Sequence, residues 1–507
     1  MTGKIRIAGA PATGSRRRNK RWNFKYEMYH HLFETQQEFL EKAKKIPKEV
    51  GLPDGLQGQI GLTGTISENH GLLRREIIDA IAAGGRKVVN NAVLDKEIRR
   101  LVKSWYGDEY DAVAANTCEA LLYVAFDSLA SPPIAGRGQC YTARYIAPYE
   151  KHLHHQGAYG RPFPPKYKDF AADRGLAAGE FGQMGKRLTN LETVIVPLVG
   201  AKYECHGIKY HPCTLMAGVD ANASGDRIAQ VAREHVSSLS AITSLGYTHP
   251  GSGYGQRDER GVPILQKRLA EIAQSHNVPY ILDNAVGVPF LCTDPRDIGC
   301  DVVLFSMDKA SGGPTCGLAI GREETIVPMA RALGVHSHRN GSPLAHGKAS
   351  NVGFDPGKEA LNGLIALLGL LQNEGDKYRR QIDLWHDIVV DEFKRMDSGL
   401  LKGLVFDKDY NGLCSEVDYE KTWTNDRFGI PIFSVEDLYG GTGLTMSAMR
   451  VMGIAPCIMY DGTIKMSPGL GTTDERGELM VDRVRPMIRC MVRMLEMLCE
   501  HAGVMDQ

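Results

Sequence analysis

The sequence predicts an α/β protein built on a mostly parallel sheet, with a smaller C-terminal α+β domain. Three observations carry that expectation. Short apolar runs alternate with amphipathic stretches from about residue 61 onward, the pattern of doubly wound β-α-β units. At 507 residues the chain is long enough for one large core with attachments. Two apolar runs, 280–283 and 303–306, each end abruptly in polar residues, as strands do when they meet a ligand edge.

Taken in order, residues 1–60 combine a basic cluster (Arg16, Arg17, Arg18, Lys20, Arg21) with a helix-like segment over 26–48. They read as an arm appended to the central sheet, the cluster as a solvated charge run with RNA contact as the alternative. The large domain spans 61–355. In it 111–115 reads as a strand and 119–129 as a helix, and strand-like segments recur at 192–199, 241–245, 279–282 and 301–305. Between 241–245 and 279–282, residues 263–276 read as a helix whose Ile264, Leu265, Leu269 and Ile272 make one face. Such succession implies parallel strands joined by right-handed crossovers. Residues 131–190, rich in Gly, Tyr, His and Pro and without periodicity, read as a loop insertion. The C-terminal domain spans 356–507: a bridging helix over 358–372, strand-like 429–434 and 463–466, and a closing helix over 478–501.

Composition excludes several classes. Apolar residues make up 43% and charged residues 24%, close to soluble globular averages, and the formal net charge is zero, which argues against a whole-molecule electrostatic nucleic-acid binder. The N-terminal charges are not followed by an apolar run of signal-peptide length, and no stretch of 18 apolar residues occurs later, so a cytoplasmic protein without membrane contact is expected. Eleven cysteines lack CxxC spacing, and His152, His154 and His155 lack carboxylates at ligand spacing; neither a disulfide framework nor a metal is expected. Gly251-Ser252-Gly253-Tyr254-Gly255 is not followed by Gly-Lys-Ser/Thr and is not read as a phosphate loop.

The informative residues are Asp283, at the end of Tyr280-Ile281-Leu282, and Lys309, just beyond Val303-Leu304-Phe305-Ser306. On neighbouring parallel strands both emerge at the carboxyl edge. An aldehyde cofactor needs an amine to form a Schiff base, and a carboxylate beneath a pyridine nitrogen keeps that nitrogen protonated. Lys309 and Asp283 fit these catalytic roles. A phosphate cradle is the third requirement. Asn116-Thr117-Cys118 lies between a strand and a helix start, where backbone N–H groups face an anion, and Ser306 stands three residues before Lys309. The small Ala285 lets its strand lie against a ring. His249 is the candidate acid/base or stacking residue.

Phe305-Ser306-Met307-Asp308-Lys309-Ala310-Ser311-Gly312-Gly313-Pro314, with Gly317, resembles the cofactor-lysine signature of the selenocysteine synthase (L-seryl-tRNA selenium transferase) family and its relatives, a sugar-acid ammonia-lyase among them. Leu62-Thr63-Gly64-Thr65, the Asn116 loop and Thr248-His249-Pro250 extend the resemblance over residues 60–370. It implies a fold-type-I enzyme with pyridoxal 5'-phosphate on Lys309, working as a homodimer or higher homo-oligomer. It further implies that Lys309 deprotonates Cα of a small amino acid or amine, with loss or replacement of a β-substituent preferred and an aldolase or aminotransferase as alternatives. A third reading, of another class, is an RNA-binding protein that modifies aminoacyl-tRNA, although tRNA binding is not expected. Related families hold the substrate carboxylate with an Arg-x-Ser, whereas this chain has Lys465-Met466-Ser467, so the task is expected to pass to Arg144 or Arg339.

Overall fold

The computed structural model describes residues 32, 34–63, 71, 73–131, 143–150, 208–215, 220–246, 256–291, 294–334, 352–395, 404–417, 441–456, 459–460 and 463–501. A two-residue strand, β1 (Ile60–Gly61), precedes the large sheet. The sheet is built from β2 (Tyr110–Ala115), β3 (Ala143–Glu150), β4 (Ile208–Leu215), β5 (Leu239–Leu245), β6 (Tyr280–Asp283), β7 (Val302–Ser306) and β8 (Gly317–Arg322). Every residue of β2, β6 and β7 is buried, as strands covered by helices on both faces must be. The order is β2-β8-β7-β6-β5-β3-β4. Only β8 runs antiparallel, wedged between β2 and β7; the other neighbours are parallel. The fold is α/β with a mostly parallel central sheet.

Two cores flank this sheet. On one face lie the helices Asn91–Tyr106, Ala221–Glu234, Ile264–Ser275 and the first half of Gly357–Lys394. The other face is covered by Cys118–Ala125 and Glu323–Ala332. The long helix departs from helical geometry at Glu374 (φ −124°, ψ 21°), and its second half leaves the sheet to join the C-terminal core through Trp385, Ile388 and Phe393. The C-terminal part adds β9 (Phe406–Asp409), β10 (Cys414–Val417), β11 (Ile454–Ala455), β12 (Met459–Tyr460) and β13 (Thr463–Met466). Four of them form an antiparallel sheet in the order β12-β13-β10-β9, and the helix Val481–His501 closes the chain.

The N-terminal helices, Gln36–Ala43 and Ile46–Val50, stand apart from the central sheet and pack on the C-terminal core: Phe39, Ala43 and Ile46 are buried in it, and β1 pairs in parallel with β11. Sealing an aromatic ring such as Phe39 from water stabilises that joint by about 1.5–3 kcal/mol. The aperiodic 131–190 is not wholly a loop, since 143–150 is β3, with β4 on one side and β5 on the other. The strand expected at 192–199, the one at 429–434 and the basic cluster at 16–21 lie outside the described residues.

Among the described residues no helix is long and apolar enough to cross a membrane, no cluster of His, Cys, Asp and Glu has metal-site geometry, and the cysteines are free and buried.

Candidate active site

β6 and β7 lie side by side, with Asp283 opposite Leu304 in the register, so both strands deliver their last residues to the same edge. Asp283 is buried, and its Oδ1 accepts the Ala285 N–H at 3.1 Å, so the carboxylate is oriented by its own strand end. Beyond β7 the chain reverses into the antiparallel β8. Met307 N–H donates to Cys316 O (2.9 Å), Gly313 N–H to Met307 O (2.7 Å) and Gly312 N–H to Lys309 O (3.0 Å). Gly312 adopts φ +65°, which a side chain would strain, and a Cβ on Gly313 would lie 2.5 Å from the Leu367 side chain. The two glycines thus hold Lys309 at the head of a tight turn. Lys309 is half-buried and lines a cavity of about 90 Å³ together with Arg74, Tyr378, Ser467 and Thr473.

Across β8 from that turn lies the start of the helix Cys118–Ala125. Thr117 caps it, its Oγ1 accepting the Ala120 N–H at 3.0 Å, so the hydroxyl proton remains available. The Asn116 N–H donates instead to Phe354 O at 2.8 Å. The Asn116 amide is therefore committed and does not serve as an anion donor at this terminus. Gly317, the first residue of β8, is what brings strand and turn together: a Cβ there would sit 2.5 Å from Thr117 O and 2.7 Å from Cys118 N.

The electrostatics show that these pieces converge. Burial pushes the Cys118 thiol well up; Asp283 adds to the rise and Lys309 opposes it, with Glu119 and Asp308 as weaker contributors. One buried side chain at the helix start therefore senses Asp283 and Lys309 together. Ala285 is half-buried beside them, and its carbonyl accepts the Ser306 N–H at 3.3 Å. The Ser306 hydroxyl donates to Asp308 Oδ1 at 2.6 Å, so its single proton is already committed. His249 and Arg339 lie outside the described residues.

The carboxylate-binding expectation for Arg144 does not survive. Arg144 sits near the start of β3, paired with Leu239 at the start of β5, which places it at the amino edge of the sheet and not at the edge of Asp283. Lys465 is buried between Asp409 (3.7 Å) and Glu416 (4.0 Å) and serves the C-terminal sheet. Arg74, which sequence reading missed, is the arginine on the Lys309 cavity. It is 7% exposed; Nη1 donates to Glu374 (2.7 Å) and Nη2 to Glu76 (2.9 Å), while among the described residues the buried Nε–H has no acceptor. Burial alone would lower its pKa, but the bonds to Glu374 and Glu76 outweigh it and the guanidinium is held above its ordinary value. No local pattern separates Arg74 from Arg75, which is exposed and pairs with Asp79.

No family model matches the chain. A curated protein, the L-seryl-tRNA(Sec) selenium transferase of Geotalea uraniireducens (strain Rf4), is 23% identical over 192 residues, 29% of this chain. The chain spans 41% of that relative's length. Among solved structures, the SepCysS–SepCysE N-terminal domain complex aligns with TM-score 0.48 at 11% identity, over 89% of this chain and 98% of that one. The aspartate aminotransferase of Thermus thermophilus with maleate aligns at 0.45 and 12%, covering 91% and 96%. D-Glucosaminate-6-phosphate ammonia-lyase aligns at 0.42 and 15%, covering 88% and 97%.

Proposed function

We propose that this chain is a fold-type-I pyridoxal-phosphate enzyme, a lyase or transferase, that holds its cofactor on Lys309 and acts on a small amino acid. The observation that carries the reading is the convergence of a cavity-lining lysine and a buried carboxylate on one strand edge, above a capped helix start. The residues fit the group by charge and by space. A phosphate meets the Thr117 and Cys118 amides and the Thr117 hydroxyl, where Gly317 keeps room for the turn. A protonated ring nitrogen meets Asp283, and the small Ala285 leaves the ring face clear. Bound there, the cofactor supplies an electron sink for charge developing at the substrate Cα.

The rest falls to the protein. Lys309 Nζ takes the proton from Cα and gives it to the departing β-substituent; in replacement it protonates Cα again once the nucleophile has added. Arg74 holds the substrate carboxylate: its Nε–H is a buried donor in want of an acceptor, a state that costs about 1–3 kcal/mol and that a carboxylate oxygen relieves. Ser311, Ser467 and Thr473 line the same cavity and orient the substrate. The reaction we assign is loss or replacement of a β-substituent, on free amino acid rather than on tRNA.

Borohydride reduction of the cofactor-loaded protein, followed by peptide mapping, is expected to place the label on Lys309; a label on another lysine refutes the assignment. A β-substituted alanine is then expected to release its β-group with a keto acid and ammonia. Turnover that stops after one equivalent unless a keto acid is added identifies an aminotransferase instead, and release of an aldehyde with glycine identifies an aldolase.

A further inference from the structure

Asn284, the residue after Asp283, is completely buried, and its partner lies 127 positions away. Asn284 Nδ2 donates to Asn411 Oδ1 at 2.9 Å, and Asn411 Nδ2 donates back to Asn284 Oδ1 at 2.7 Å. Asn411 also donates to Gly246 O at 3.3 Å, and its own carbonyl accepts the Val288 N–H at 3.0 Å. Gly246 N–H in turn donates to Asp283 O at 2.6 Å. These bonds bind the ends of β5 and β6 to the turn between β9 and β10. Gly246 and Gly287 flank the amide pair, and a Cβ on either would collide with the Asn284 side chain. The turn that presents Asn411 is itself fixed, since Asp409 Oδ1 accepts the Asn411 N–H (2.8 Å) and Oδ2 the Gly412 N–H (3.1 Å).

We infer that the Asn284–Asn411 amide pair is a positioning device through which the C-terminal sheet sets the aim of Asp283 at the cofactor ring. The inference rests on the cofactor assignment above. The polar atoms of both amides are taken up by each other and by the Gly246 carbonyl, so we assign them a positioning role and not a catalytic one. Both act through the carboxylate next door. The pair is neutral, and as primary amides its members carry both a donor and an acceptor, which is what reciprocal pairing in a dry site needs. An interdomain contact whose only work was adhesion would not have to fall on the residue adjoining Asp283, nor take in the carbonyl of the residue that hydrogen-bonds the Asp283 backbone.

The test compares wild type with Asn411→Ala, Asn284→Ala and the double variant, all loaded with pyridoxal phosphate. Four measurements are made: the pH midpoint of the bound cofactor's visible absorbance change, the melting temperature, steady-state kcat and KM, and deuterium exchange over residues 280–290 in the cofactor-free protein. Each single variant leaves a buried amide without its partner and is expected to melt lower; the double variant removes both and is expected to recover much of that loss. If the pair aims Asp283, all three variants move the absorbance midpoint by about one pH unit. The double variant then shifts no further than either single one, exchange over 280–290 is faster in all three, and kcat falls with KM little changed. Recovery of stability in the double variant together with a wild-type midpoint overturns the inference and leaves a purely structural contact. Should a single variant fail to fold, the double variant alone decides between these outcomes. Failure of wild-type protein to take up the cofactor is a different result and sinks the functional reading, and this inference with it.

Discussion

Gly317→Ala tests the architecture of the phosphate cradle without touching any residue that would contact the cofactor. The added Cβ would lie 2.5 Å from Thr117 O, 2.6 Å from Thr117 C and 2.7 Å from Cys118 N, against the 3.4 Å at which ordinary contact begins. All three neighbours are backbone atoms, so no side-chain rotation relieves the overlap, and the turn must retreat from β8 by about 0.9 Å, the difference between 3.4 and 2.5 Å. Such overpacking costs about 1–3 kcal/mol of stability. A retreat of that size takes the Thr117 and Cys118 amides off target. Losing one hydrogen bond to a charged group costs about 1.5–3 kcal/mol, or about 10- to 100-fold in Kd. The assay is titration of the apo-protein with pyridoxal phosphate, followed by absorbance, alongside its melting temperature. Gly369→Ala is the control: nothing lies within 4 Å of that Cβ, so the change should stabilise the long helix slightly and leave Kd alone. A Gly317→Ala protein that binds the cofactor within twofold of wild type refutes the placement of the phosphate at this turn.

Two further predictions follow from single side chains. Arg74→Met should bind cofactor normally yet raise KM for an amino-acid substrate by about 10- to 100-fold, as expected for losing a charged hydrogen bond; steady-state kinetics with kcat and KM separated would show it, and an unchanged KM returns Arg74 to a structural role. Asp95→Asn should raise the melting temperature at pH 8 and leave it unchanged at pH 4. Burial first, and then the neighbouring Asp355, push the Asp95 carboxyl from 3.8 up to about 7. Between those values the folded chain keeps a proton that the unfolded chain has lost, so stability falls as pH rises and the full penalty is present above pH 7. A shift of about three units sets a ceiling near ~4 kcal/mol, less for a half-buried group. A gain of equal size at both pH values would rule out the charge as its cause.

How much of the fold was legible depended on whether the signal was local. β2, β6 and β7 are buried along their whole length and, apart from Asp111, which Arg99 pairs, and the terminal Asp283 and Ser306, their residues are apolar. β3 carries Arg144, Tyr145, Pro148 and Tyr149 in a stretch rich in turn formers, so its place among parallel neighbours, which supply its hydrogen bonds, outweighs a weak local preference. β8 begins with a glycine chosen for its contact with Thr117 and not for strand propensity, and its antiparallel direction follows from the tight turn at Gly312-Gly313. The union of residues 36–61 with the C-terminal core was beyond reach, because it joins segments several hundred positions apart, as in the hydrogen bond between Thr35 and His501.

The candidate site divides along the same line, and the division has a chemical meaning. Lys309 and Asp283 could be found from sequence because each must sit at the end of a strand, and strand ends are marked by a change from apolar to polar residues. Arg74, Asn284 and Asn411 have no such marker: a buried arginine beside an exposed one, and two asparagines in ordinary turn contexts, look like surface residues until the fold brings their partners to them. The groups that would touch the cofactor are therefore written locally. Those that would aim it and select the substrate come from the start of the helix Arg75–Arg86, the end of β6, the long helix, the 467–477 loop and the C-terminal sheet, which come together only in the folded chain. It follows that resemblance in the lysine segment carries cofactor chemistry more readily than substrate. Exchanging the residues around Arg74 and Asn411 should change what the site acts on sooner than it changes what it binds covalently.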